Sequence, residues 1–287
     1  MVLVHRFGGN GSRDSASPVS NRSFRNGGTG KSVLRSQPNK SFKWDADSTA
    51  FLRRNYGAPR PLILSLEVRE RRMMSLDRLA DEMRSCRKCA GKLSEYGIVP
   101  RPIFGGGEGY PVILIGQAPG KTEYERNAPF QGDAGASIKS LFRSCGMRDF
   151  DKTVYQTSVT KCFPGRRPGA TTDRSPGAKE VENCSPFLSK QLELLAPKLI
   201  VCLGGLSWKT YVSMREREEP GYCTREFGKR KPQDLRVPDM VGKRFLWRNA
   251  VVLPMIHPAG SANGSRAEYP SQDAESKRLL REEIQRL

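Results

Sequence analysis

Val112-Ile113-Leu114-Ile115-Gly116-Gln117-Ala118-Pro119-Gly120 is the stretch on which the fold turns. Its four leading apolar residues, three of them β-branched, stop abruptly at a glycine. So short and apolar a run reads as a strand buried on both faces, as in a parallel sheet. Moving outward, the pattern recurs at Leu199 to Leu203 and at Val251-Val252-Leu253, and Val154 to Val159 also reads as a strand. Helical stripes separate these strands. Leu76, Leu79, Ala80 and Met83 follow Ser75, which reads as an N-cap. Ile138, Leu141, Phe142 and Cys145 form a second stripe, stopped by Gly146. Residues 178–195, the segment from Leu206 to Val212, and a charged stretch after Ser271 complete the set. Strands alternating with helices predict an α/β fold: a three-layer α/β/α sandwich around a short, mainly parallel four-stranded sheet. Ligands in such folds sit at the carboxyl ends of the strands. The segments after Ile115, Val159, Leu203 and Leu253 are therefore where chemistry is expected.

The 287 residues suffice for one substantial core and a tail. Lys and Arg number 49 against 30 Asp and Glu, a formal charge of +19. A surface that basic favours a polyanionic partner, most commonly DNA or RNA. No stretch reaches the ~18 apolar residues of a membrane span. A soluble, intracellular protein is expected, cytoplasmic or nucleoid-associated, with no membrane partner and a monomeric state. Residues 1–60 carry 11 Lys and Arg against 3 Asp and Glu and almost no apolar periodicity. Residues 1–70 are accordingly expected to form a basic, disordered tail, and residues 71–287 the folded domain. The tail is Ser- and Arg-rich, so organelle targeting stays open. Gly30-Lys31-Ser32 resembles the end of a P-loop, but Arg25 stands where the motif needs its first glycine, and no strand precedes it.

Seven cysteines, an odd number spread along the chain, argue for a reducing compartment rather than a disulfide framework. Cys145 and Cys202 fall inside apolar stripes and read as core residues, and Cys223 reads as a loop thiol. The remaining four, Cys86, Cys89, Cys162 and Cys184, follow a C-x2-C-x72-C-x21-C spacing. Four thiolates suit a [4Fe–4S] cluster or, alternatively, structural zinc. The lack of a second close pair leans toward the cluster.

Several ordered motifs resemble family 4, the iron–sulfur type, of the uracil-DNA glycosylase superfamily. Gly116-Gln117-Ala118-Pro119-Gly120-Lys121-Thr122-Glu123 is similar to its G-E-A-P-G-x-x-E loop, and Pro129-Phe130-Gln131-Gly132-Asp133-Ala134-Gly135 to P-F-x-G-x-A-G. Thr157-Ser158-Val159-Thr160-Lys161-Cys162 resembles T-N-x-V-K-C, the segment from Pro197 to Gly204 resembles P-x-x-I-V-x-L-G, and His257-Pro258-Ala259 matches H-P-[SA]. The resemblance implies hydrolysis of the N-glycosidic bond of uracil, or of another deaminated base, flipped out of single- or double-stranded DNA. The product would be an abasic site in base-excision repair. It also implies five roles. Glu123 orients or activates water, and His257 donates to the departing base. Phe130 stacks on the base, while Gln117, Ala118 and Ser158 line its pocket. Ser261, Asn263 and Arg266 form a polar loop that holds DNA. Two departures stand out: Gln117 occupies the usual glutamate position, and Ser158 the position of the asparagine that reads the uracil edge. A hydroxyl has one rotatable proton where an amide offers a donor and an acceptor. An iron–sulfur nucleic-acid-binding protein with weak or no glycosylase activity is therefore the competing reading.

Overall fold

The structure is a computed structural model that describes residues 60–105, 110–258 and 263–287, with side-chain surroundings from residue 71 onward. The expectations for residues 1–59 and for Ser261 lie outside the described residues. In chain order the helices are α1 (Arg60–Ser85), α2 (Ala90–Ser94), α3 (Lys121–Arg126), α4 (Asp133–Ser144), α5 (Phe150–Thr153), α6 (Ala178–Leu195), α7 (Gly204–Glu218), α8 (Tyr222–Phe227), α9 (Val237–Met240), α10 (Asn263–Glu268) and α11 (Pro270–Gln285). Among the described residues, none is long and apolar enough to cross a membrane.

Strands β1 (Val112–Gly116), β2 (Val154–Ser158), β3 (Leu199–Leu203), β4 (Phe245–Trp247) and β5 (Ala250–Met255) form one sheet in the order β2-β1-β3-β5-β4. The first four in that order run parallel, and β4 pairs antiparallel with β5. The sheet thus has five strands where four were expected. The edge strand β4 is three residues long and leaves Leu246 exposed. Its hairpin turns through Arg248 at a φ of 52°, without the Asn-Gly or Asp-Gly pair that marks such turns.

Successive strand residues point to opposite faces, so the sheet sorts its apolar residues into two cores. Ile113, Ile115, Ile200, Cys202 and Val252 pack with Leu188 and Leu192 of α6 and with Trp208 and Tyr211 of α7. Val112, Leu114, Val201, Leu253 and Met255 pack with Ile138 and Phe142 of α4 and with Leu279 and Leu280 of α11. Both faces are covered, which is why β1 and β3 are apolar throughout and buried at every position. The free edge of β2 is covered by residues 102–105: Ile103 N–H donates to Lys161 O at 2.7 Å, and Gly105 N–H to Gln156 O at 2.6 Å.

Two local readings change, and one helix carries a proline that needs accounting for. Ser75 is not an N-cap: α1 runs through it, and its hydroxyl donates to Arg71 O. The helix starts with Pro61 in its first turn, where a missing N–H costs nothing. Cys223 lies in α8 and is buried, not in a loop. Finally, α6 tolerates Pro186 in its interior because Ser185 Oγ donates to Glu182 O at 3.3 Å. Glu182 O is the carbonyl that the proline leaves without an i→i−4 donor.

Candidate active site

Parallel register brings the strand ends together. Gly116 pairs with Ser158, and Leu203 with Met255, so the β1 turn, the end of β2, Gly204 and His257 meet on one edge. They line a cleft of about 450 Å³ together with Gln117, Ala118, Glu123 and Phe130. Six of the residues singled out from the sequence thus share one cavity, at the strand ends where α/β folds place ligands.

Glu123 stands at the third position of α3, and its carboxylate accepts three backbone N–H bonds. Oε2 accepts from Gly120 N at 3.0 Å, while Oε1 accepts from Gln131 N and Gly132 N, each at 2.8 Å. A carboxylate has about four acceptor sites, so most of its capacity is spent on backbone. The side chain clamps the β1 turn to the loop before α4. A Cβ on Gly120 would come within 2.8 Å of Glu123 Oε2 and 2.9 Å of Asp173 Oδ2, so a side chain there would push both carboxylates off their present positions. Asp173 reinforces the clamp from a distant loop: it accepts from Lys121 N at 3.1 Å and pairs with Arg166 Nε at 2.6 Å.

Phe130 follows Pro129 in left-handed backbone, φ 51°, with its carbonyl pressed against α4. A Cβ on Gly135 would lie 2.1 Å from Phe130 O, so only glycine fits at that point of the helix. The Phe130 ring lies over Gly116, its tip 3.1 Å from where a Cβ would be. The glycine lets a flat apolar ring line the cleft beside the backbone of β1. Ser158 is buried, and its hydroxyl donates to Thr160 O at 2.9 Å. With its proton spent, Oγ faces any further partner as an acceptor.

Burial, and secondarily the charge of Arg266, hold the His257 imidazole below its ordinary pKa, so it is neutral at pH 7. Arg266 Nη1 donates to His257 O at 2.6 Å, and Arg266 Nη2 bonds Asn263 Oδ1. Both predicted loop residues are thus drawn into the support of His257. The segment from Arg166 to Arg174 is tied down internally at both ends. Arg174 makes a bidentate pair with Glu180 at 2.6 and 2.7 Å, both side chains buried, and lies 4.3 Å over the Tyr96 ring.

Cys86, Cys89, Cys162 and Cys184 line a second cavity, walled by Met83, Leu93, Pro100, Pro102 and Phe187. Among the described residues, no three His, Cys, Asp or Glu groups converge on a single-ion site. Lys161 N–H donates to Cys184 Sγ at 3.2 Å, and Asn183 Nδ2 to Cys89 Sγ at 3.6 Å. Burial, then the neighbouring Cys184, pushes the Cys162 thiol up to about 12, and burial raises Cys184 and Cys89 as well. Lys161 is fully buried beside these thiols and its ammonium donates to Ser158 O, so it joins the cysteine cavity to a residue that lines the cleft. Burial pushes that ammonium down to about 8.

The family model of the uracil DNA glycosylase superfamily matches residues 104–282, more than half of the chain. The chain belongs to this superfamily. The type-4 uracil-DNA glycosylase of Sulfurisphaera tokodaii is 31% identical over 196 residues, covering 66% of this chain and 76% of the relative. That of Saccharolobus solfataricus is 30% identical over 197 residues (66% and 78%), and that of Archaeoglobus fulgidus 39% over 132 residues (46% and 61%). These relatives place it in the type-4 branch. For a glycosylase of this branch, the sequence singled out the strand-end residues but missed Asp173, Lys161 and the Arg174–Glu180 pair. A motif-to-motif reading carries no signal for contacts between a loop and a helix 52 residues away.

Proposed function

We propose that this glycosylase removes a deaminated base, uracil foremost, from DNA by hydrolysing its N-glycosidic bond, leaving an abasic site for base-excision repair. One observation carries the reading: the parallel register gathers Ser158, Phe130, the Gly116–Gly120 turn and His257 around a single base-sized cleft. A base flipped into the cleft stacks on Phe130, a contact worth about 1–3 kcal/mol. The neutral His257 imidazole donates to a carbonyl oxygen of the departing base and stabilises the charge developing there. Ser158 Oγ, an acceptor only, meets an N–H on the base edge. Uracil and hypoxanthine present one there, whereas cytosine presents a lone pair. Glu123 acts as a positioning residue: it holds the two loops of the cleft in register and keeps about one acceptor site of four for water.

The four cysteines fit a [4Fe–4S] cluster better than structural zinc. Their sulfurs surround a shared cavity instead of one point, and N–H donors already face two of them. Cys86, Cys89, Cys162 and Cys184 would hold it as thiolates, the metal charge overcoming the burial that raises Cys89, Cys162 and Cys184. When bound, the cluster supplies a rigid cross-link between the turn after α1, the end of β2 and α6. The protein acts inside the cell on single- or double-stranded DNA, as a monomer. The site roles are tested with uracil-, hypoxanthine- and cytosine-containing oligonucleotides, revealing abasic sites with alkali. Release of uracil, abolished in His257→Ala, is the expected result. No release above that variant would leave only a DNA-binding protein.

A further inference from the structure

Beyond His257 the cleft continues into a groove of about 270 Å³ that shares His257, Gly204 and Gly205 with it. Among the described residues, the groove's charged lining residues are Lys209 and Arg236, with Ser265 of α10 also in the lining and no carboxylate. Lys209 is half-buried on α7, and no carboxylate pairs with it among the described residues. Most cations of the folded domain that line a cavity behave otherwise: Arg166 and Arg174 are held by Asp173 and Glu180. Arg236 donates to Tyr269 Oη at 3.1 Å and, at 3.5 Å, to Asp239, while its guanidinium stays largely in solvent. Guanidinium carries five N–H donors, so most of its donors remain for a ligand. A lysine that lines a groove without a carboxylate partner has its ammonium donors available to an anion there.

We propose that this groove seats one backbone phosphate of the DNA strand, next to the flipped nucleotide, between Lys209 and Arg236. The ligand rests on the glycosylase reading above; the groove adds the path the strand takes. Arg266 and Asn263, the residues the sequence pointed to, bond each other and the His257 carbonyl, whereas Lys209 lines the groove itself. A base reaching the cleft drags its own phosphodiester past His257, and the groove opens at that point.

Equilibrium binding tests this without turnover. The probe is a single-stranded oligonucleotide carrying a non-hydrolysable 2′-fluoro-deoxyuridine, titrated between 50 and 200 mM salt, conditions over which phosphate contacts dominate the change in affinity. Each phosphate contact contributes a slope of about 0.7 in log K against log salt for a single strand. Lys209→Gln should flatten the slope by about that amount, Arg236→Gln should flatten it in the same direction, and Lys209→Arg should restore it. Lys190→Gln, whose lysine pairs with Glu82 elsewhere, should leave it unchanged. Replacing single linkages beside the uracil by neutral methylphosphonate should weaken the wild-type protein at one linkage and leave Lys209→Gln indifferent there. A Lys209→Gln slope equal to that of Lys190→Gln, or no linkage that closes the gap between the two proteins, overturns the proposal. Excision of ordinary uracil from the same oligonucleotide reports separately on the glycosylase reading.

Discussion

Replacing Glu123 should cost stability before it costs chemistry. The carboxylate accepts N–H bonds from Gly120, Gln131 and Gly132, at 3.0, 2.8 and 2.8 Å. Hydrogen bonds to a charged group are worth about 1.5–3 kcal/mol each, and the lower end applies beside an open cleft where water can replace them. Glu123→Ala should therefore lose about 4 kcal/mol, a large fraction of the ~5–15 kcal/mol typical of a whole domain. Glu123→Gln keeps one carbonyl oxygen for Gln131 and Gly132 but turns an NH2 toward the Gly120 donor, so about 2 kcal/mol should go. Urea denaturation reads both values as a lower midpoint at unchanged m. At temperatures where both variants are folded, excision by Glu123→Gln should stay within about tenfold of wild type. Loss of a general base typically costs ~10²–10⁴-fold. A Glu123→Gln protein as stable as wild type but slower by more than ~10²-fold would refute the positioning role and restore Glu123 as the water-activating base.

Other outcomes follow from the same geometry. His257 titrates below the usual imidazole range, so the neutral form persists from pH 8 down through 6.5, and protonation removes it only below that. The excision rate should be flat over that window with an acid limb beneath it. A limb centred above pH 6.5 that disappears in His257→Gln would reverse the sign of the argument. Ser158→Asn adds a donor and bulk to the pocket wall, so the rate on uracil should rise relative to hypoxanthine; an unchanged ratio would remove Ser158 from base reading. Cys184→Ser should lose the brown absorbance and iron expected of the native protein, whereas colourless native protein with one zinc per chain would favour the zinc alternative. Lys161→Met removes the buried ammonium between the thiols and Ser158 O. Faster iron loss to a chelator is expected, with partial recovery in Lys161→Arg; equal rates would make Lys161 a packing residue only.

Much of this molecule was written locally. Short apolar runs marked β1, β3 and the start of β5, because a strand covered on both faces is apolar at nearly every position, while β2 carries Gln156, Thr157 and Ser158 toward the site. α6 was legible to the residue, from Ala178 to Leu195, since helical periodicity is a property of the segment alone. The parallel sheet followed from the alternation of these elements, and with it the place of the site at the strand ends. Motif spacing then named Glu123, Phe130, Ser158, His257 and the four cysteines. What the sequence left open depends on partners distant in the chain. The strand β4 exists because Trp247 packs into a core built elsewhere and donates to Glu218 at 2.9 Å. Asp173 reaches α3 from a loop 52 residues on, and Glu123 spends its carboxylate on three N–H groups that no spacing rule reveals. Arg266, which reads as a DNA contact, also bonds the His257 carbonyl, while Lys209, silent in the sequence, lines the groove. A residue's type sets which bonds it can make; only packing decides which of those bonds are already taken, and a functional group is one whose capacity the fold leaves over.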